Sequence, residues 1–137
     1  MNKIFGVIIL EVILSQALAD DPHDWYPKNP VAVHEKCREE NPLTEESRND
    51  LEKGIIHAHP DLIAFFLCTA KSMNFYTTQN GFDANRLIYA LEKMDLLHNR
   101  NAVEECVKKN KDVTPEETKV FNVAKCIEDE NVSGEKH

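Results

Sequence analysis

The stretch PDLIAFFLC at residues 60–68 decides the fold class of this chain. Its proline stands where a helix can begin, and the residues that follow Asp61 are apolar on every face of such a helix. A helix that is apolar all round is buried on nearly all of its sides. The segment from Asp61 to about Met73 is therefore predicted to be a central helix.

Short helices are predicted on both sides of this segment from caps, prolines and apolar spacing. Asn29-Pro30 begins a first helix and Asn41-Pro42 ends it, while Thr44 caps a second helix that Pro60 ends. Three more helices follow, and their start signals lie near Asp83, at Asn101 with Glu104, and at the capping box Thr114-Pro115-Glu116-Glu117. No segment alternates with period two for long enough to predict a strand. We therefore expect an all-α single domain of about six short helices.

The two ends of the chain differ in composition from this helical region. Lys3, an apolar run from Ile4 to Leu14 and the small residues at 17–19 are typical of a secretory signal peptide, predicted over residues 1–19. The domain is then expected at residues 20–137, of which 128–137 are a polar tail with an N-glycosylation sequon at Asn131. These features predict a secreted, extracellular protein with no membrane insertion.

The charge of the chain argues against polyanionic partners. The formal net charge is −8 at pH 7. Binding to nucleic acid depends on counterion release by basic residues, and anionic membrane surfaces repel an acidic protein. We expect no nucleic-acid partner.

Four cysteines, Cys37, Cys68, Cys106 and Cys126, lie within the expected domain. In a secreted chain an even number of cysteines predicts disulfides, and four cysteines can pair in three ways. Zinc is the competing interpretation, but the chain has no C-x-x-C pair and its cysteines are widely separated. We expect two disulfides and neither a metal nor another cofactor.

Few motifs could carry chemistry. His57 and His59 are the only close histidine pair, and they are either a surface pair at a helix end or a proton-sensitive hinge beside Pro60. Zinc needs at least three protein ligands, and the spacing fixes no third one. The chain has no G-x-S-x-G motif, and cysteines in disulfides cannot act as nucleophiles. We expect no enzymatic activity.

The cysteine spacing resembles that of the insect odorant-binding proteins, which have six cysteines. If the four cysteines present are the first, third, fourth and sixth of that pattern, the second falls at Ala64 and the fifth at Glu117. The family bonds those two to each other, so the chain resembles the four-cysteine Minus-C subgroup. The segment 79–87, QNGFDANRL, also looks like the family's turn into its fourth helix.

The resemblance implies the disulfides Cys37–Cys68 and Cys106–Cys126. It also implies that the third disulfide, which would join the third helix to the sixth, is missing. We expect packing alone to hold that contact.

The resemblance further implies a carrier that binds a small hydrophobic molecule, odorant- or pheromone-like, in an apolar cavity and transports it through aqueous fluid. A membrane receptor at delivery and a monomeric or weakly dimeric state belong to the same expectation. The side chains expected to line the cavity are Leu51, Ile55, Leu62, Phe66, Met73, Phe75, Tyr76, Leu87, Leu91 and Phe121. Ordinary core packing would explain any single one of them.

Two other functions stay open at this point. One is a secreted interaction or signalling protein with a dry core that acts through its surface. The other is a protein of saliva, venom or reproductive fluid that sequesters its ligand.

Overall fold

The computed structural model describes residues 23–135, and describes side chains up to residue 130. The expected signal peptide at 1–19 and the Asn131 side chain lie outside what is described. The helices are α1 (Pro30–Glu40), α2 (Glu45–Glu52), α3 (Pro60–Ser72), α4 (Ala84–Lys93), α5 (Arg100–Lys109) and α6 (Glu116–Glu135). Strands β1 (Tyr76–Thr77) and β2 (Gly81–Phe82) lie between α3 and α4. The prediction of an all-α fold with six helices is confirmed.

Side-chain caps begin four of these helices. The side chains of Asn29, Thr44 and Asp83 each accept a hydrogen bond from a backbone N–H in the first turn of α1, α2 and α4. The cap of α5 is Asn99, whose Oδ1 accepts from the N–H of Ala102 at 3.2 Å. Asn101 was therefore the wrong cap for this helix. An asparagine two residues earlier already satisfies the free N–H group, so the helix begins there.

The helix ends differ more from the sequence prediction than the starts do. Helix α2 ends at Glu52 rather than at Pro60, because Gly54 adopts a positive φ of 74° that stops the helix. Helix α6 begins at Glu116, so Thr114 lies outside it and the predicted capping box does not form. At its other end, α6 continues through the polar tail to Glu135. None of the described helices is long and apolar enough to span a membrane.

A two-residue antiparallel hairpin was not predicted. It pairs Tyr76 with Phe82 and Thr77 with Gly81 around the expected turn at residues 79–81. The hydroxyl of Thr77 accepts the N–H of Asn80, and Gly81 has a φ of 73° that favours glycine. Strands this short leave no period in the sequence.

Two disulfides join the helices. Cys37–Cys68 joins α1 to α3, and Cys106–Cys126 joins α5 to α6. These are the pairs that the resemblance implies, and they use all four cysteines of the chain.

Helix α3 lies at the centre of the packing, as the sequence predicts. None of its residues from Asp61 to Ala70 is exposed, and its most extensive contact is with α6. Two groups of buried side chains flank it. The larger group joins α3 to the hairpin, α4, α5 and α6. The smaller group consists of Cys37, Leu43, Leu62, Phe65 and Phe121.

A polar cluster, called here the Glu116 cluster, adds to the contact between α3 and α6. Lys71 Nζ lies 2.9 Å from Glu116 Oε2, and the hydroxyls of Tyr76 and Thr78 donate to Glu116 Oε1 at 3.1 and 2.9 Å. The expectation that packing alone holds this contact was wrong. The resemblance places the fifth cysteine of the family at Glu117, and here the residue before it supplies a polar contact to α3.

Candidate functional site

A cavity of about 320 Å³ lies between α3, α4, α6, the hairpin and the segment that joins α2 to α3. Its lining is apolar except for one threonine and one glutamate. The lining residues are Leu51, Ile56, Phe66, Thr69, Ala70, Phe75, Phe82, Leu87, Leu91, Leu96, Val120, Val123, Ala124, Ile127 and Glu128. A concave, mostly apolar space with very few polar groups is the usual form of a small-molecule site.

Half of the side chains that we predicted for such a cavity lie on its surface. These are Leu51, Phe66, Phe75, Leu87 and Leu91. They come from α2, α3, α4 and the approach to the hairpin, so the fold brings together residues that are distant in sequence.

The other five predicted side chains lie elsewhere. Leu62 and Phe121 pack in the smaller buried group, and Met73 and Tyr76 are fully buried in the larger one. Ile55 is 37% exposed because α2 ends before it, which takes it off the apolar face that we extrapolated from Leu51. Its neighbour Ile56 lines the cavity instead.

Sequence reasoning missed one complete wall of the cavity. Val120, Val123, Ala124 and Ile127 line it from α6. Their spacing of i, i+3, i+4 and i+7 marks one helical face, and this signal was present in the sequence. Our selection from α6 was Phe121 alone, which lies beside this stripe and packs towards Phe65 and Leu62.

Thr69 is a polar residue in the cavity wall on α3. Its Oγ1 is buried and has no hydrogen-bond partner among the described residues. A helical threonine can often bond the carbonyl one turn earlier, but here no such bond forms. Leaving a buried hydroxyl without a partner costs about 1–3 kcal/mol. Thr69 therefore places one unsatisfied donor and acceptor directly behind the apolar surface of the cavity wall.

The segment between α2 and α3 forms one side of the cavity and contains the histidine pair. His57 Nδ1 lies 3.0 Å and His59 Nε2 lies 3.3 Å from the same oxygen, Oδ2, of Asp50. The hydrogen bond from His59 is the largest effect that lowers the pKa of Asp50. The sequence linked these histidines to no partner, because Asp50 lies on a different element. The proton-sensitive hinge stays a prediction.

The sequence and the fold were compared with those of known proteins. A model of the PBP/GOBP family matches residues 26–130, which is most of the chain. Comparison with curated proteins and comparison with solved structures each gave no match. The four cysteines and their pairing agree with the Minus-C pattern. The chain therefore belongs to the PBP/GOBP family, the family of the insect odorant-binding proteins.

Proposed function

We propose that this protein is a secreted carrier that binds a small hydrophobic molecule in the cavity between α3, α4 and α6 and transports it through aqueous fluid. The observation that carries the proposal is the apolar cavity itself, in a chain whose family consists of binding and carrier proteins rather than enzymes. At about 320 Å³ it lies at the small end of the range for ligand sites, which favours a ligand of modest size.

The energetics of burial suit a reversible carrier. A ligand of ten to twelve carbons would gain about 8–10 kcal/mol from burial, at ~0.8 kcal/mol per CH₂. Loss of translational and rotational freedom costs at least ~4 kcal/mol. The remaining ~4–6 kcal/mol corresponds to a dissociation constant between about a millimolar and some tens of micromolar. Apolar burial alone therefore gives weak binding.

Thr69 supports a more specific ligand class. When the Thr69 side chain rotates its hydroxyl into the cavity, a ligand with one hydrogen-bonding group, such as an alcohol, aldehyde or ester, would satisfy the hydroxyl that the protein leaves without a partner. Relief of that penalty is worth about 1–3 kcal/mol, which tightens binding by roughly one to two orders of magnitude. We infer that the ligand is an apolar chain or ring with a single hydrogen-bonding group.

A fluorescent apolar probe tests the carrier function. A naphthylamine fluorophore titrated into the protein should bind with one-to-one stoichiometry and should be displaced by medium-chain alcohols. Stoichiometric uptake distinguishes a carrier from a secreted interaction protein with a dry core. Failure to take up the probe would favour the latter.

A matched pair of variants locates the binding site. Ala124 is half-buried on α6 and lines the cavity, so Ala124→Leu should fill part of it and weaken probe binding at least about fivefold, the equivalent of ~1 kcal/mol. Ala102→Leu on α5 adds the same bulk at a half-buried position outside the cavity lining and should leave affinity unchanged. Equal losses in both variants would mean that the probe binds somewhere else.

A further inference from the structure

Three side chains at the junction of α2 and α3 form a cluster suited to a metal ion. The ligand atoms of Asp50, His57 and His59 all lie within 4.8 Å of one another. Each histidine directs one ring nitrogen at the same carboxylate oxygen, at 3.0 and 3.3 Å. The third ligand that the sequence spacing did not fix is thus supplied by α2.

The distances match those of a tetrahedral zinc site. With Zn–N and Zn–O bonds of about 2.0–2.1 Å, neighbouring ligand atoms in a tetrahedron lie roughly 3.3 Å apart. The two nitrogen–oxygen distances, 3.0 and 3.3 Å, are close to this length. The two histidine nitrogens lie within 4.8 Å of each other. The side chain of His57 is 62% exposed and has room to rotate.

The backbone holds this cluster in place without the metal. The N–H groups of Gly54 and Ile55 donate to the carbonyls of Leu51 and Asp50 at 2.9 and 2.8 Å, which fixes the turn after α2. The N–H of His59 donates to the carbonyl of His57 at 2.8 Å, which fixes the spacing of the two histidines. A site whose ligands are already positioned has less ordering entropy to lose on binding.

Ligand chemistry and local charge select the kind of ion. Two imidazoles and one carboxylate favour zinc and similar transition metals over calcium or magnesium, which prefer oxygen ligands alone. Glu128 Oε2 lies close to Gly54, 3.5 Å from where a Cβ would stand there, and places a second carboxylate beside the same turn. Three protein ligands leave a fourth position for water.

We propose that Asp50, His57 and His59 bind a single Zn²⁺ ion that fixes the segment between α2 and α3. Leu51 and Ile56 are sequence neighbours of these ligands and line the cavity, so the bound ion stiffens one cavity wall. The effect on ligand release rests on the proposed carrier function. Binding of zinc itself does not.

Calorimetric titration of zinc chloride into untagged, disulfide-bonded protein at neutral pH tests the site. Wild type should show saturable one-to-one binding. Asp50→Asn should weaken it at least about tenfold, since even outer-shell partners of a metal are worth about 10- to 100-fold. The double variant His57→Gln/His59→Gln should abolish it. His98→Gln, an exposed histidine outside the cluster, is the matched control and should change nothing.

A second measurement on wild type alone guards against variants that fail to fold. Zinc should protect His57 and His59, and not His98, from modification by diethyl pyrocarbonate, as read by mass spectrometry. Absence of one-to-one binding, an equal loss in His98→Gln, or protection of other histidines instead would each overturn the site. Zinc should also slow release of the naphthylamine probe in wild type and not in the double variant. If the probe does not bind at all, the carrier function fails and the zinc result stands independently.

Discussion

At the scale of single residues, Thr69 has a buried hydroxyl that forms no hydrogen bond with any described residue. It lies on α3 between Phe66 and Ala70, and all three line the cavity. Most buried hydroxyls in folded proteins find a partner, so one without a partner calls for a physical explanation. Valine would fill the same volume without the penalty. The unpaired hydroxyl therefore lowers the stability of the fold, and a hydrogen bond from a bound ligand would offset that loss.

Thr69→Val should separate stability from ligand choice. The free energy of unfolding should rise by about 1 kcal/mol, because a buried hydroxyl without a partner is replaced by a methyl group of similar size. The variant should lose at least about fivefold of its preference for a medium-chain alcohol over the alkane of equal length. Denaturant unfolding and competition against the fluorescent probe measure the two effects. A parallel loss of affinity for alcohol and alkane would show that the hydroxyl does not contact the ligand.

At the scale of secondary-structure elements, the contact between α3 and α6 combines packing with the Glu116 cluster. The Lys71 hydrogen bond is the largest of the effects that lower the pKa of Glu116 below 4.5, and Thr78 and Tyr76 add to it. Burial, followed by the hydrogen bond to Glu116, raises the pKa of Tyr76 to about 12. The cluster thus needs an ionised carboxylate and a neutral phenol, a combination that holds across the neutral range.

Glu116→Gln should reveal this contact as a pH-dependent loss of stability. Because the folded pKa lies below the unfolded one, the ionised group stabilises the fold above pH 4.5, and this contribution is lost as pH falls through the folded pKa. At pH 7 we expect a cost of about 1 kcal/mol, since the ion pair is partly exposed. Wild type and variant should converge at pH values below the folded pKa of Glu116.

Urea unfolding at several pH values measures that difference, with Glu117→Gln as control. Glu117 is the adjacent carboxylate and is exposed. A difference that persists unchanged at low pH, or an equal effect of Glu117→Gln, would show that the cluster does not stabilise the contact.

Element starts could be predicted from the sequence better than element ends. A helix cap is a local hydrogen bond between residues close in sequence, so the start of a helix can be predicted from its cap residue. The caps at Asn29, Thr44 and Asp83 are examples. The end of α2 could not be predicted from its apolar spacing, because that spacing continues from Leu51 to Ile55 past Gly54. That single error moved the expected cavity residue from Ile56 to Ile55.

Only half of the side chains expected to line the cavity could be predicted correctly, because the sequence does not show how the helices pack. Periodicity shows that a helix face is apolar but not which neighbour it meets. On α6, Phe121 turns to the smaller buried group while Val120 and Val123 turn to the cavity. Asp50 meets His57 and His59 across the turn at Gly54, and the apolar spacing gives no sign of this contact. Such contacts are set by the packing of whole helices.

At the scale of the whole molecule, the two disulfides join different pairs of helices. Cys37–Cys68 lies with the smaller buried group, between α1 and α3. Cys106–Cys126 joins α5 to the part of α6 that contributes Val123, Ala124 and Ile127 to the cavity. Helix α3 also packs against α1, the hairpin and α6, whereas α6 packs mainly against α3 and α5. The position of the cavity wall on α6 therefore depends more on its own disulfide.

Removal of each disulfide in turn should produce similar losses of stability but different losses of binding. The sequence separations of 31 and 20 residues predict costs of about 4 and about 3 kcal/mol, because loop-closure entropy depends only on the logarithm of loop length. For a domain whose total stability is of the order of 5–15 kcal/mol, both variants should stay folded at low temperature but unfold in less urea.

Cys106→Ala/Cys126→Ala should also weaken probe binding, since the stretch of α6 that lines the cavity then loses its covalent link to α5 and can shift. Cys37→Ala/Cys68→Ala should bind the probe nearly as wild type does, because the stretch of α6 that lines the cavity keeps its disulfide to α5. Urea unfolding and probe titration below the unfolding midpoint measure both quantities, and the reverse order of the two affinities would place the binding site beside the smaller buried group instead.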